Sequence, residues 1–145
     1  WKLPMKPKLG DLFLLRGLPN AGKSTVANHL APDAVFAADD FFEAESGYVF
    51  DHSRLPEAHA SCQNNVIHAM SSGIKKIAVA NTFVTTDEIE PYLQLGSTHG
   101  YRVHIMIVEK QHLGNNEHNV PHSSVDVMVK RFEWIDPRFH PLHSP

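Results

Sequence analysis

Short apolar runs alternate along this chain with segments whose apolar residues recur every three or four positions. Residues 11–16 and 34–38 are compact apolar runs, and each reads as a buried strand. Residues 74–80 and 101–108 read as the third and fourth. The last of these alternates too little for an edge strand and is expected in the sheet interior. Residues 25–30 can form a helix stopped by Pro32. Leu55, His59, Cys62, Val66, Ala69 and Met70 predict an amphipathic helix over 56–71, ended by Gly73. Thr85-x-x-Glu88 is a capping box that opens a helix over 86–95. Ser123-x-x-Asp126 opens a final helix bearing Val125, Met128, Val129 and Phe132. Residues 43–54, centred on Gly47, and 109–122 read as polar loops.

Strands alternating with helices imply a parallel sheet covered on both faces. The expected fold is therefore α/β, three layers deep, with a mostly parallel sheet of four to five strands. At 145 residues, with 42% hydrophobic and 20% charged residues, one soluble domain is expected over 1–145. Its ends, 1–10 and 136–145, read as irregular. No apolar stretch approaches the roughly 20 residues of a membrane span. No signal pattern is visible, and the one cysteine, Cys62, excludes an internal disulfide. The expected location is the cytoplasm or nucleus, not outside the cell. The formal charge of −3 argues against a non-specific coat for nucleic acid, but not against an enzyme gripping one strand end. Eleven histidines are scattered without ligand spacing, so no zinc site is expected.

One segment states a chemistry. Gly17-Leu18-Pro19-Asn20-Ala21-Gly22-Lys23-Ser24-Thr25 fits G-x-x-x-x-G-K-[ST], the phosphate-binding P-loop. Backbone N–H groups from Gly17 through Thr25, Asn20, Ala21 and Gly22 included, would cradle a triphosphate. Lys23 would reach its β- and γ-phosphates, and Ser24 would hold Mg²⁺. The run of residues 11–16 before it and the helix after it supply the context that the motif needs. ATP and Mg²⁺ are the expected cofactors.

Ligands of such sheets bind at the carboxyl ends of the strands. The P-loop, Asp39-Asp40, Asn81-Thr82 and the 109–122 loop all fall there. No guanine-reading N-K-x-D occurs, and strand three ends Ala80-Asn81 rather than on a Walker B acid. A compact kinase fits better than a switch hydrolase. Asp39 is the expected general base for an acceptor hydroxyl. Asp40 would cap the next helix or hold a Mg²⁺-bound water. Phe41, Phe42, Tyr48 and Phe50 can stack an acceptor base or pack a helix onto the sheet, and packing is the expectation for Phe41 and Phe50. Arg16 is expected to be structural.

These residues converge on a family. Residues 15–25, then Asp39-Asp40-Phe41-Phe42, Gly47-Tyr48-Val49-Phe50-Asp51, Ala58-His59 with Gln63-Asn64, Asn81-Thr82, Asn116-Glu117-His118-Asn119-Val120-Pro121 and Arg131-Phe132-Glu133 resemble the P-loop kinase module of the NEDD4-binding protein 2 group. That module is similar to phage-type polynucleotide kinases, which move the ATP γ-phosphate to a 5′-hydroxyl end of DNA or RNA. The resemblance spans 11–135. It implies a P-loop kinase fold with a small lid, Lys23 and Ser24 on the phosphates and Mg²⁺, and Asp39 as base. It also puts His59 and Phe42 on the acceptor side. Asn81 and Thr82 can orient the acceptor or a Mg²⁺-bound water, or form a turn, and Arg131 can cover the adenine or phosphates or form a surface ion pair. ATP and ADP, with DNA or RNA 5′-hydroxyl ends, are the implied partners, and no membrane is.

The chain also departs from the pattern. Phe42 stands where phage-type enzymes place an arginine. Ala80 replaces an aspartate, and no arginine precedes residue 116 in the lid stretch, where only Lys110 or His112 can substitute. These departures keep two alternatives open. One is a small-molecule or nucleoside kinase on the same scaffold, the other a weakly active nucleotide-binding module.

Overall fold

The apolar runs pair side by side in the computed structural model, which describes residues 8–19, 21–46, 51–109, 128, 131 and 132. In chain order these hold β1 (Gly10–Arg16), α1 (Lys23–Leu30), β2 (Val35–Phe36), α2 (Asp40–Ser46), a 3-10 turn (His52–Arg54), α3 (Leu55–Ser71), β3 (Lys76–Ala80), α4 (Thr86–His99) and β4 (Tyr101–Ile107). All pairings are parallel, and the four described strands lie in the order β2-β3-β1-β4.

Register fixes which residues face which layer. Leu12 pairs with Ile77 and Leu14 with Val79, so all four share one face. There they join Cys62, Val66, Ala69 and Met70 of α3 and Ile89, Tyr92 and Leu93 of α4 in one buried cluster. On the other face, Leu15, Ala78 and Ala80 meet Ala27 and Ala31 of α1. Helices on both faces of a parallel sheet make the expected three layers. The α1 side is built of small residues, which lets that helix lie close on the sheet and brings its N-terminus to the strand ends.

Several boundaries differ from those read off the sequence. β2 is only two residues long. Asp40 Oδ2 accepts from the N–H of Ala37 at 3.0 Å, and Asn81 Oδ1 accepts from that of Ala38 at 2.8 Å. Side chains thus take the donors that would have continued the ladder. Residues 43–46 are helical rather than a turn, because Asp39 O accepts from the N–H groups of Phe42 and Glu43 and starts α2. The capping box of α4 is present, with Thr85 N–H donating to Glu88 Oε2 at 3.0 Å. That helix runs on through Gly96 to a left-handed Gly100. β4 is the outermost described strand beside β1, not an interior one. Its Arg102, Ile105, Met106 and Ile107 are exposed.

Gly47, Tyr48, Phe50, the 110–122 lid stretch and most of the last helix lie outside the described residues. Of that helix, Met128 and Arg131 have helical backbone. Among the described residues, no helix is long and apolar enough to cross a membrane.

The tight α1 layer gives a stability prediction. Ala78 is fully buried between β3 and α1. Replacing it with leucine should overpack that layer and cost about 1–3 kcal/mol. Urea unfolding would then shift to a lower midpoint with an unchanged slope; an unshifted midpoint would mean that the layer has room to spare.

Candidate active site

The turn between β1 and α1 needs two glycines for two reasons. A Cβ on Gly17 would stand 2.5 Å from Val108 O, so no side chain fits there. Gly22 has φ of 98° and N-caps α1 in the left-handed region, which costs other residues roughly 1–2 kcal/mol. No side chain caps α1, and its first turn carries no acid. The first N–H groups therefore face the turn with their partial positive charge available to an anion. These features fit a phosphate chain. Ala21 is buried at the base of the turn, while Ser24 and Thr25 are exposed on the first turn of α1. Asn20 lies outside the described residues.

Lys23 folds back over the loop. Its Nζ donates to Gly17 O and Leu18 O, both at 2.8 Å. Burial lowers its pKa to about 8, against the opposing pull of the Asp39 carboxylate. Asp39 thus acts on the same ammonium from the end of β2. Half-buried, it stands at the N-cap position of α2. Asp40, the first residue of α2, turns back to the N–H of Ala37 upstream of the helix, so the expected N-cap position falls to Asp39 instead. Desolvation raises the Asp40 pKa, the Ala37 hydrogen bond lowers it, and the Glu43 and Asp39 charges raise it further.

Asn81 is buried and committed. Its Oδ1 holds the Ala38 N–H, and its Nδ2 points at Cys62 Sγ, 4.0 Å away. Losing that acceptor would leave a buried N–H unsatisfied, at about 1–3 kcal/mol. Burial raises the pKa of both the Cys62 thiol and the Tyr92 phenol, so the layer under Asn81 stays uncharged. Asn81 thereby holds the Asp39 segment in position. Thr82 is half-buried, and its carbonyl accepts from Gly17 N–H at 3.3 Å. The end of β3 is tied in this way to the start of the phosphate loop.

Other sequence-derived candidates are placed differently. Phe42 is buried with Ala38 and Ala58, so it packs α2 on α3. Its neighbour Phe41 is the more accessible ring, with the Arg54 guanidinium 4.7 Å from its centroid. His59 is half-buried on α3; the core-facing steps are Ala58 and Cys62. Arg131 is exposed. Among the described residues, no group of three or more His, Cys, Asp or Glu side chains could hold a metal. Ser24, exposed on the first turn of α1, is the residue that would contact a Mg²⁺ ion beside the phosphates.

Two further features border the site: the Arg16 side chain, expected to be structural, and the backbone of Phe83, which the sequence did not single out. Arg16 is fully buried and donates from Nε to Phe83 O at 2.9 Å and from Nη2 to Val84 O at 3.4 Å. Phe83 has φ of 47°, an outlier for a bulky residue. Arginine beside a P-loop hints at the first. Nothing hints at the second, because aromatic residues are the last expected in that conformation.

A glycine-rich turn feeding α1, beside a carboxylate at the end of β2 in a β2-β3-β1-β4 parallel sheet, defines a nucleotide-binding P-loop domain of the kinase kind. Residues 12–134 match the family model described as an AAA domain, and the chain belongs to that family. It is 38% identical over 96 residues to human NEDD4-binding protein 2, a match over 63% of this chain and 5% of that protein. The chain thus spans a small fraction of the curated relative it matches. Among solved structures, it resembles a chain of the Pnkp1/Rnl/Hen1 RNA repair complex with a TM-score of 0.63 at 14% identity, covering 88% of this chain and 45% of the other. A sugar kinase from Janibacter sp. gives a TM-score of 0.58 at 15% identity, covering 89% and 81%.

The Lys23 environment predicts a pH dependence. Phosphate favours the charged ammonium, which the ligand-free protein loses as pH rises through about 8. ATP affinity should be full below that point and about tenfold weaker at pH 9 than at pH 7. Titration calorimetry across this range would read it, and a Lys23→Met variant should give weak binding with a flat profile.

Proposed function

We propose that this domain is an ATP-dependent phosphotransferase whose acceptor is a hydroxyl on a nucleic acid, most readily a polynucleotide 5′-hydroxyl end. The observation that carries the reading is that the parallel strands end the phosphate loop after β1 and Asp39 after β2 at the same end of the sheet, where the Asp39 charge is felt at Lys23. A phosphate-loop lysine and a carboxylate from the next strand end serve one crevice, as in-line transfer requires. Lys23, with the loop N–H groups of Gly17 through Thr25, holds the triphosphate, and Ser24 holds Mg²⁺. The ion supplies charge neutralisation on the β- and γ-oxygens. Asp39 accepts the proton as the acceptor oxygen bonds to the γ-phosphorus and the bond to ADP breaks. Arg131 covers the nucleotide, and His59 and Thr82 border the acceptor.

Likeness in fold to a chain of an RNA repair complex is in keeping with a nucleic-acid acceptor. Similarity to a sugar kinase, at nearly the same TM-score, keeps a small-molecule acceptor as the second reading.

Incubation with γ-labelled ATP and Mg²⁺, offering 5′-hydroxyl DNA and RNA oligonucleotides, a nucleoside and sugar panel, or no acceptor, separates the two. Label should appear on an oligonucleotide. Asp39→Asn should lower its rate by about 10²–10⁴-fold while ATP still binds. Label on a small molecule alone would move the assignment to the second reading. ATP binding with no transfer to any acceptor would end both.

A further inference from the structure

We propose that Arg16 is a positioning residue that clamps the segment carrying Arg131 onto the root of the phosphate loop. This rests on the reading of Arg131 as a nucleotide contact. The last residue of β1, Arg16 is fully buried. Its guanidinium carbon lies 4.2 Å from the centroid of the Phe132 ring. Phe132 directly follows Arg131, which is helical and exposed. A guanidinium face against a ring attracts more strongly when both are desolvated, and only arginine combines that planar face with lateral donors.

The same side chain reaches the turn after β3. Its Nε and Nη2 bonds hold the carbonyls of Phe83 and Val84. Phe83 keeps its left-handed backbone while its ring stands edge-on to Tyr92, 5.5 Å between centroids. Such a conformation persists where surroundings over-determine it. The backbone closes the arrangement: Arg16 O accepts from Val108 N–H at 2.7 Å, and the next residue, Gly17, donates to Thr82 O. Arg16 therefore joins the end of β1, the turn after β3 and the Arg131–Phe132 segment. An apolar side chain of similar size would fill the space at lower desolvation cost. A buried cation earns its place by aiming groups on three segments at once.

The test measures ATP binding by calorimetry on the whole chain, for Phe132→Ala, Arg131→Ala and the double variant. Phe132 is only partly buried, so its replacement spares the core; Arg16→Lys is a secondary variant, because a fully buried site can fail to fold. Each single variant should weaken ATP by about tenfold. The double variant should be no weaker than the worse single, since both remove one clamped contact. Phe132→Trp, which keeps a ring face, should restore binding, and the Lys23 transition near pH 8 should not move in any of them. Wild-type affinity in Phe132→Ala, no loss in Arg131→Ala, losses that multiply, or failure of tryptophan to rescue would each overturn the clamp. Loss of transfer to every acceptor with ATP binding intact would instead overturn the phosphotransfer reading and leave the clamp standing.

Discussion

Parallel pairing of β1 with β3 is the constraint on which the upper end of this molecule depends. It ends the two strands side by side, Leu15 opposite Ala80, so that Arg16-Gly17 and Asn81-Thr82-Phe83 leave the sheet together. The Gly17–Thr82 hydrogen bond, the Arg16 bonds to Phe83 and Val84, and the Asn81 bond to Ala38 all follow from that shared exit. They set the phosphate loop, the turn after β3 and the Asp39 segment in one frame. Rigid strands determine where the loops begin, and loop backbone is held by the side chains of Arg16 and Asn81.

Electrostatics then divides this end of the sheet. On the α1 side are glycine backbone, an uncapped helix start and one desolvated lysine. On the α2 side are Asp39, Asp40 and Glu43 at one short helix start, with Cys62, Tyr92 and Asn81 buried and uncharged nearby. Desolvation weakens the ammonium's hold on its proton, and the nearby carboxylate strengthens it. The balance lies close to neutral pH, where modest changes in surroundings have the largest effect on charge.

Much of this was legible in the sequence because it is local. The P-loop, the apolar runs, the α3 stripe and the α4 capping box are written in residues within a few positions of one another. What was not legible depends on residues far apart in the chain. β2 is cut short by Asn81, 43 positions from the N–H of Ala38 that it holds. Seven-residue α2 has too few turns to show a period, and its start depends on Asp39. Between Phe41 and Phe42, only the packing of α2 on α3 decides which ring is buried. The apolar β4 run looks interior by composition, whereas strand order places it beside β1 at the edge of the described sheet. The Arg16–Phe132 contact joins positions 116 apart and has no local signature.

The pose of Lys23 ties its ammonium to the loop itself. The nitrogen donates to two carbonyl oxygens of its own loop, each at 2.8 Å. An incoming anion can take the third N–H of that ammonium without displacing either carbonyl. Adjacent phosphates with a divalent cation offer several oxygens at once and engage the helix start as well. The loop's own backbone is the first partner of its lysine, and a dense polyanion would engage that lysine and the helix start together.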